Sequence, residues 1–412
     1  MAENYSPCKD LPDLLSSFVD TFVDFSVSGL FLLPQPKPTP LPHPSQSQSS
    51  PTNHRLPLRT RFPSAQRLVA IGDLHGDLDK TKQSLRLAGL IDSSDSWIGD
   101  STTVVQIGDV LDRGGDELKI LYFLEKLRRE AARSGGSIIS MNGNHEIMNI
   151  EGDFRFVTRE GFDEFRAWAD WFCIGNKMKA LCEGLEKPND PFHGIPSVFK
   201  GIKPELVDGF RARIAALRPC GPVSVRFLSD NLTVLVVGDS VFVHGGLLPE
   251  HVSYGLERIN EEASDWIKGL KGKFTPAPDH CRGRNAVVWL RDFSHELGKK
   301  CDCSHLEHVL STIPGAKRMI MGHTIQQLGI NGVCDDRAIR IDVGMSKGCG
   351  NGLPEVLEIR GNSQLRILTS NPLYQTNNKY KLSASDTHRP KQENDLLMSV
   401  PEHRPKQVPV KA

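Results

Sequence analysis

An excess of charge of either sign is missing from this chain: its 412 residues carry 50 lysines and arginines against 50 aspartates and glutamates. Without a net field there is no long-range attraction for phosphate backbones or anionic bilayers, which sets aside nucleic-acid binding by bulk charge. Cysteine is scarce and odd in number, 9 in all, too few to staple a fold of this length. A long uninterrupted apolar run is lacking too. The richest stretch, Leu11–Leu33, is broken by Asp13, Asp20 and Asp24, so a membrane span there would carry several costly charges. The same acids are at odds with an arginine-rich, acid-poor transit peptide, and no secretory signal opens the chain. These absences lead to the expectation of a soluble cytosolic protein. An oxidising non-secretory compartment such as the mitochondrial intermembrane space is the alternative if the cysteines pair.

What is present divides the chain into four parts. Residues 1–33 hold apolar positions at near-helical spacing and read as an amphipathic N-terminal arm. Residues 34–66 carry nine of the 27 prolines, the first six at every second position, which favours an extended polyproline linker over a packed core. Residues 67–369 form the globular part, and residues 370–412 a polar, disordered tail that repeats His-Arg-Pro-Lys-Gln at His388–Gln392 and His403–Gln407. Arm and tail are candidate docking elements for a partner.

Within the globular part, short apolar runs alternate with helical stretches such as Glu117–Ser134. The runs are Leu68–Ile71, Thr103–Ile107, Ser137–Met141, Val234–Val237, Val241–Val243 and Arg318–Met321. This alternation predicts an α/β layered fold with its chemistry at strand ends. The stretch between His145 and His244, rich in aromatics and basic residues, reads as a largely helical insertion beside the site.

Five of these runs end in glycine-bracketed polar residues: Gly72-Asp73-Leu74-His75-Gly76, Gly108-Asp109-Val110-Leu111-Asp112-Arg113-Gly114, Gly143-Asn144-His145-Glu146, Val243-His244-Gly245-Gly246 and Gly322-His323-Thr324. Oxygen and imidazole donors delivered by tight turns suit Mn²⁺, Fe²⁺ or Zn²⁺. One such segment could be an ordinary strand-ending turn. Five in one domain are a constellation.

These motifs resemble those of the phosphoprotein phosphatase branch of the metallophosphoesterases, and in particular the Shewanella-like protein phosphatases in a plant-type form. The resemblance covers about Arg67 to Thr369. It implies a β-sandwich flanked by α-helices with a helical insertion, and two divalent metal ions, expected to be Mn²⁺ with Fe or Zn as alternatives. Asp73 and His75 would bind the first metal, Asp109 would bridge both, and Asn144, His244 and His323 would bind the second. His145 would be the general acid oriented by Asp112, while Arg113 and Arg291 would hold the phosphate, with Arg284 the alternative to Arg291. The expected activity is hydrolysis of phosphomonoesters on Ser/Thr or Tyr residues of a phosphoprotein. Ile341–Gly348 departs from the toxin-contacting loop of the eukaryotic Ser/Thr members, so insensitivity to those toxins is expected.

Two other functional classes compete. A dinucleoside polyphosphate hydrolase shares Gly-Asp-x-His-Gly and Gly-Asn-His-Glu, and a catalytically dead scaffold would use the linker and tail for binding. A second cluster, His280-Cys281 with Cys301-Asp302-Cys303-Ser304-His305-Leu306-Glu307-His308, reads as a surface loop with incidental cysteines and histidines. Its spacing fits neither a zinc knuckle nor a local disulfide.

Overall fold

A computed structural model describes residues 58–180, 190–272, 275–361 and 364–370. The strands form two sheets. One contains β2 (Arg67–Ile71), β3 (Thr103–Gln106), β4 (Ser137–Ser140), β10 (Glu355–Arg360) and β11 (Gln364–Thr369), in the order β11-β10-β2-β3-β4. The other contains β1 (Arg61–Phe62), β5 (Val234–Val237), β6 (Ser240–Val243), β7 (Arg318–Met321), β8 (Asn331–Val333) and β9 (Ala338–Arg340), in the order β1-β5-β6-β7-β9-β8. Each sheet has a parallel centre, β2-β3-β4 in one and β6-β7-β9 in the other.

The apolar runs are continuous because most of these strands are buried on both faces. Leu68, Ala70 and Val105 point inward to meet Leu235, Val237, Phe242, Ile320 and Ile339 of the opposite sheet. Their neighbours Val69, Ile71 and Val104, and Val234, Val236, Val241 and Val243, point outward beneath the helices. The result is the expected mixed α/β sandwich flanked by helices.

Helices α1 (Leu78–Leu87) and α2 (Glu117–Arg133) make the crossovers between parallel strands. Asp77 caps α1 by accepting the Lys80 N–H at 3.1 Å. The insertion after β4 is α3 (Asn144–Ile150), α4 (Arg159–Ala180) and α5 (Val207–Leu217), and the far side carries α6 (Pro249–Tyr254), α7 (Leu256–Ile267) and α8 (Cys303–Ser311). Among the described residues no helix is long and apolar enough to cross a membrane.

Two expectations are corrected. The folded part begins before Arg67: β1 pairs in parallel with β5, and buried Thr60 accepts a hydrogen bond from Asn260 at 2.9 Å. Pro57 and Pro63 bracket a proline-free stretch whose N–H groups remain available, and a two-residue edge strand fits between them. The remainder of the proline-rich segment, the arm and nearly all of the tail lie outside the described residues. The cysteine cluster is not incidental either, because Cys303 is disulfide-bonded to Cys334. The partner lies 31 positions away, beyond the segment on which the spacing was judged, and the turn between β8 and β9 brings it back.

Candidate active site

Every sequence motif lands at the carboxyl end of a strand, and the two sheets present those ends to one another. Asp73 and His75 follow β2, Asp109 to Arg113 follow β3, and Asn144 and His145 open α3 beyond β4, all from one sheet. His244 follows β6 and His323 follows β7, from the other. The turns are tight enough to put five non-glycine residues in the left-handed region: His75 (φ 43°), Asp109 (54°), Asp112 (70°), Arg113 (65°) and His323 (67°). Such backbone is uncommon for side-chain-bearing residues and clusters where function dictates it. Gly143 and Gly322 are glycine for a steric reason, since a Cβ at either would strike the carboxylate of Asp109 or Asp73.

Asp109 is the hub. Its Oδ2 lies 3.2 Å from His244 Nε2, 3.7 Å from His75 Nε2 and 3.8 Å from His145 Nε2, and its Oδ1 accepts the His145 N–H at 3.0 Å. Asn144 Oδ1 sits 3.0 Å from His244 Nε2, and the His244 and His323 rings are 5.1 Å apart. Asp73 joins through the His323 N–H, 3.2 Å from its Oδ2. The six expected donors therefore converge.

The hydrogen-bond partners of the imidazoles show which nitrogens are free. His75 Nδ1 donates to the Leu111 carbonyl (2.9 Å), His244 Nδ1 to the Ile107 carbonyl (3.0 Å) and His323 Nε2 to the Trp289 carbonyl (3.2 Å). Each bond commits one ring nitrogen and turns the other toward the cluster, the usual outer support of a metal-binding histidine. For His244 that nitrogen faces Asn144 Oδ1 and Asp109 Oδ2. The donor set of carboxylate, amide oxygen and imidazole fits divalent metal. Two buried trios, His75–Asp109–His145 and Asp109–His244–His323, have the spacing to hold an ion.

The electrostatics agree. Burial, then Asp342 and Asp109, push the Asp73 carboxyl well above its ordinary value. Burial drives the His75 imidazole down to about 3, and burial with His244 and Arg291 does the same in direction for His323, so these rings are neutral and able to ligate. Burial opposes charge on Asp109, yet its contacts with His244 and His145 outweigh it and hold the carboxyl well below its usual range.

His145 behaves differently. Its Nδ1 is 2.5 Å from Asp112 Oδ2, and although burial disfavours the imidazolium, Asp109 and Asp112 together raise its pKa. Arg113 lies against it, Nη2 3.4 Å from His145 Nε2, and also donates to Cys349 Sγ at 3.4 Å. Of the two candidate second arginines, Arg291 faces the site. Its Nη1 donates to the His323 carbonyl (3.0 Å) and the Thr324 hydroxyl (2.7 Å), and it senses Asp73, Asp109 and Arg113 electrostatically. Arg284 stands further out on the rim of the adjoining cleft.

Several residues that position the site were not singled out from sequence. Glu146 accepts the N–H groups of Asp109, Val110, Leu111 and Gly143 at 2.7–3.1 Å and so shapes the β3 loop. Asp342, buried after β9, acts electrostatically on Asp73 and raises its carboxyl. Behind Asp112 lies fully buried Arg213 of α5, which bonds Asp112 Oδ1 (3.1 Å), both oxygens of Glu117 (2.9 and 2.6 Å) and Asn149 Oδ1 (2.7 Å). Its signal was an arginine in the buried stripe Gly209, Ala212, Ala216 of a helix.

Comparison with known proteins follows the same lines. The profile of the calcineurin-like phosphoesterases matches residues 66–327. The chain is 64% identical over 406 residues to Shewanella-like protein phosphatase 2 of Arabidopsis thaliana, spanning 98% of this chain and 97% of that one. It is 28% identical over 292 residues to Shewanella-like protein phosphatase 1 of Plasmodium berghei (strain Anka), 70% of this chain and 69% of the relative. Among solved structures, the cold-active protein-tyrosine phosphatase of a psychrophilic Shewanella species shares the fold, with a TM-score of 0.53 at 21% identity over 81% of this chain and 86% of that one.

Proposed function

The chain belongs to the Shewanella-like protein phosphatases of the calcineurin-like phosphoesterase family, and from that membership we propose that it hydrolyses phosphomonoesters on serine, threonine or tyrosine side chains of phosphoproteins. The observation that carries this reading is His145, clamped by Asp112 beside Arg113 at the edge of a buried cluster of metal-type donors. Asp73, His75 and Asp109 would hold one divalent ion, and Asp109, Asn144, His244 and His323 the other, with Mn²⁺ the expected metal and Fe or Zn the alternatives. When bound, the ions supply a nucleophile at neutral pH and polarise the phosphoryl group.

The side chains do the rest. Arg113 and Arg291 orient the phosphoryl oxygens with planar, permanently charged donors. His145 is close enough to Asp109 to be read as a ligand. Its bond to Asp112 favours the protonated ring instead, and that ring gives its Nε2 proton to the departing oxygen as Asp112 holds it in register. A scaffold needs neither this acid nor a complete donor set, and similarity to a phosphatase across almost the whole chain weighs against the dinucleoside polyphosphate reading. The Cys303–Cys334 bond supports residence in an oxidising compartment over the cytosol.

The test is a side-by-side assay of the Mn²⁺-loaded protein on phosphoserine, phosphothreonine and phosphotyrosine peptides and on diadenosine tetraphosphate, with His145→Asn as control. Peptide turnover is expected to dominate. The variant is expected to lose about two or more decades of kcat while keeping its metal. Preferential turnover of the dinucleotide, or an unchanged kcat in the variant, would refute the proposal.

A further inference from the structure

A cleft of about 950 Å³ opens beside the donor cluster, between α3 and the segment running from Cys281 to His305. It begins at the site itself. Trp289 lines it, and the Trp289 ring meets the His323 ring edge-on at 5.7 Å while its carbonyl accepts from His323 Nε2. Ile147 and Met148 of α3 extend this apolar floor, and Arg291 stands at the junction.

The charges along the walls are unevenly committed. Among the acids, Glu151 is paired with Arg282 at 3.2 Å and Asp153 with Arg155. Asp302 caps α8, accepting from the Ser304 and His305 N–H groups and the Ser304 hydroxyl. Among the described residues Arg284 and Lys300 make no ion pair, and both are exposed on the cleft. Asp292 is the one wall carboxylate with neither an ion pair nor a capping bond among those residues. Two unspent cations therefore line a cleft whose apolar floor includes Trp289, set against His323. This is the complement of an extended chain with an acidic side chain.

We propose that this cleft receives the substrate polypeptide flanking the phosphorylated residue, and that Arg284 and Lys300 select a carboxylate borne by that polypeptide a few residues from the phosphate. The assignment rests on the phosphatase reading above and adds to it the class of sequence preferred. The pair acts at the wet rim of the cleft, so its effect is moderate and screened by salt.

The experiment compares kcat/KM for pairs of phosphopeptides that are identical except for Glu or Gln at positions two to four residues on either side of the phosphoresidue. The Mn²⁺-loaded full chain is used at low and at high salt. For at least one position the Glu peptide is expected to be favoured by roughly 3- to 10-fold at low salt, less at high salt. The ratio is expected to fall to one or below in Arg284→Glu/Lys300→Glu and to an intermediate value in Arg284→Gln/Lys300→Gln. Equal turnover of every pair by the unaltered protein, or a preference that survives the charge reversal, would overturn the cleft assignment alone. Turnover of no peptide by a protein that cleaves diadenosine tetraphosphate would overturn the phosphatase reading and the cleft assignment with it.

Discussion

Replacing Arg213 with methionine tests how Asp112, and through it His145, is held. The guanidinium has no solvent exposure and spends its donors on Asp112, Glu117 and Asn149, with the Phe165 ring 4.5 Å and the Phe154 ring 5.5 Å from it. Methionine fills most of the volume and removes the charge. Asp112 and Glu117 are then buried anions without their cation, close to Glu164, whose carboxyl burial and Glu117 already push up to about 8. Breaking one side of a buried ionic network costs about 3–5 kcal/mol. For a domain of roughly 300 residues that corresponds to a fall in Tm of about 5–8 °C. Thermal and urea unfolding of the Mn²⁺-loaded protein reads the loss, and kcat is expected to fall as well because Asp112 Oδ1 loses one of its two anchors. Glu117→Gln combined with Arg213→Met is expected to cost less than the sum of the single changes, since Glu117→Gln removes the repulsion that Arg213→Met exposes. A loss below about 1 kcal/mol in the single variant would refute the claim that Arg213 neutralises this network.

Asp109→Asn is expected to remove both activity and bound metal, and full occupancy by elemental analysis would contradict its place at the hub. The raised carboxyl of Glu164 gives a pH-dependent stability. Its folded-state value of about 8 stands above the ordinary 4.5, so the favourable protonated state is present at low pH and stability is lost as pH rises through that window. Glu164→Gln is therefore expected to gain Tm relative to the unaltered protein above pH ~8 and to show little of that gain below pH ~5; a difference independent of pH would count against it. Substituting Cys303 and Cys334 by serine frees a loop of 31 positions and is expected to cost ~3–4 kcal/mol in urea unfolding, and an unchanged midpoint would show that the cross-link contributes nothing.

The parts of the site that sequence exposed share one trait: the signal is local. An apolar run followed within two residues by glycine and a donor is visible without knowing what the run pairs with, and Asp73, Asp109, Asn144, His244 and His323 all carry it. Asp342 carries it too, after Ala338–Ile341 and before Gly344, and was readable on the same terms. Arg213 was hidden because it acts on Asp112 from 101 positions away, and only the packing of α5 behind α3 joins them. Cys334 was hidden for the same reason. β1 was masked by composition: prolines on either side made the whole segment look like linker, although the five residues between them have free donors. Arg291 was already preferred to Arg284 on the resemblance, and what sequence did not show was its bond to the His323 carbonyl.

The donors are split across the chain as well as across the sheets. Asp73, His75, Asp109 and Asn144 are synthesised in the first third or so, whereas His244 and His323 emerge much later. An ion captured early would meet only part of its cage. A cation held by all six would meet its full cage only with β7 docked beside β6, so its binding would favour the folded chain over any early part of it.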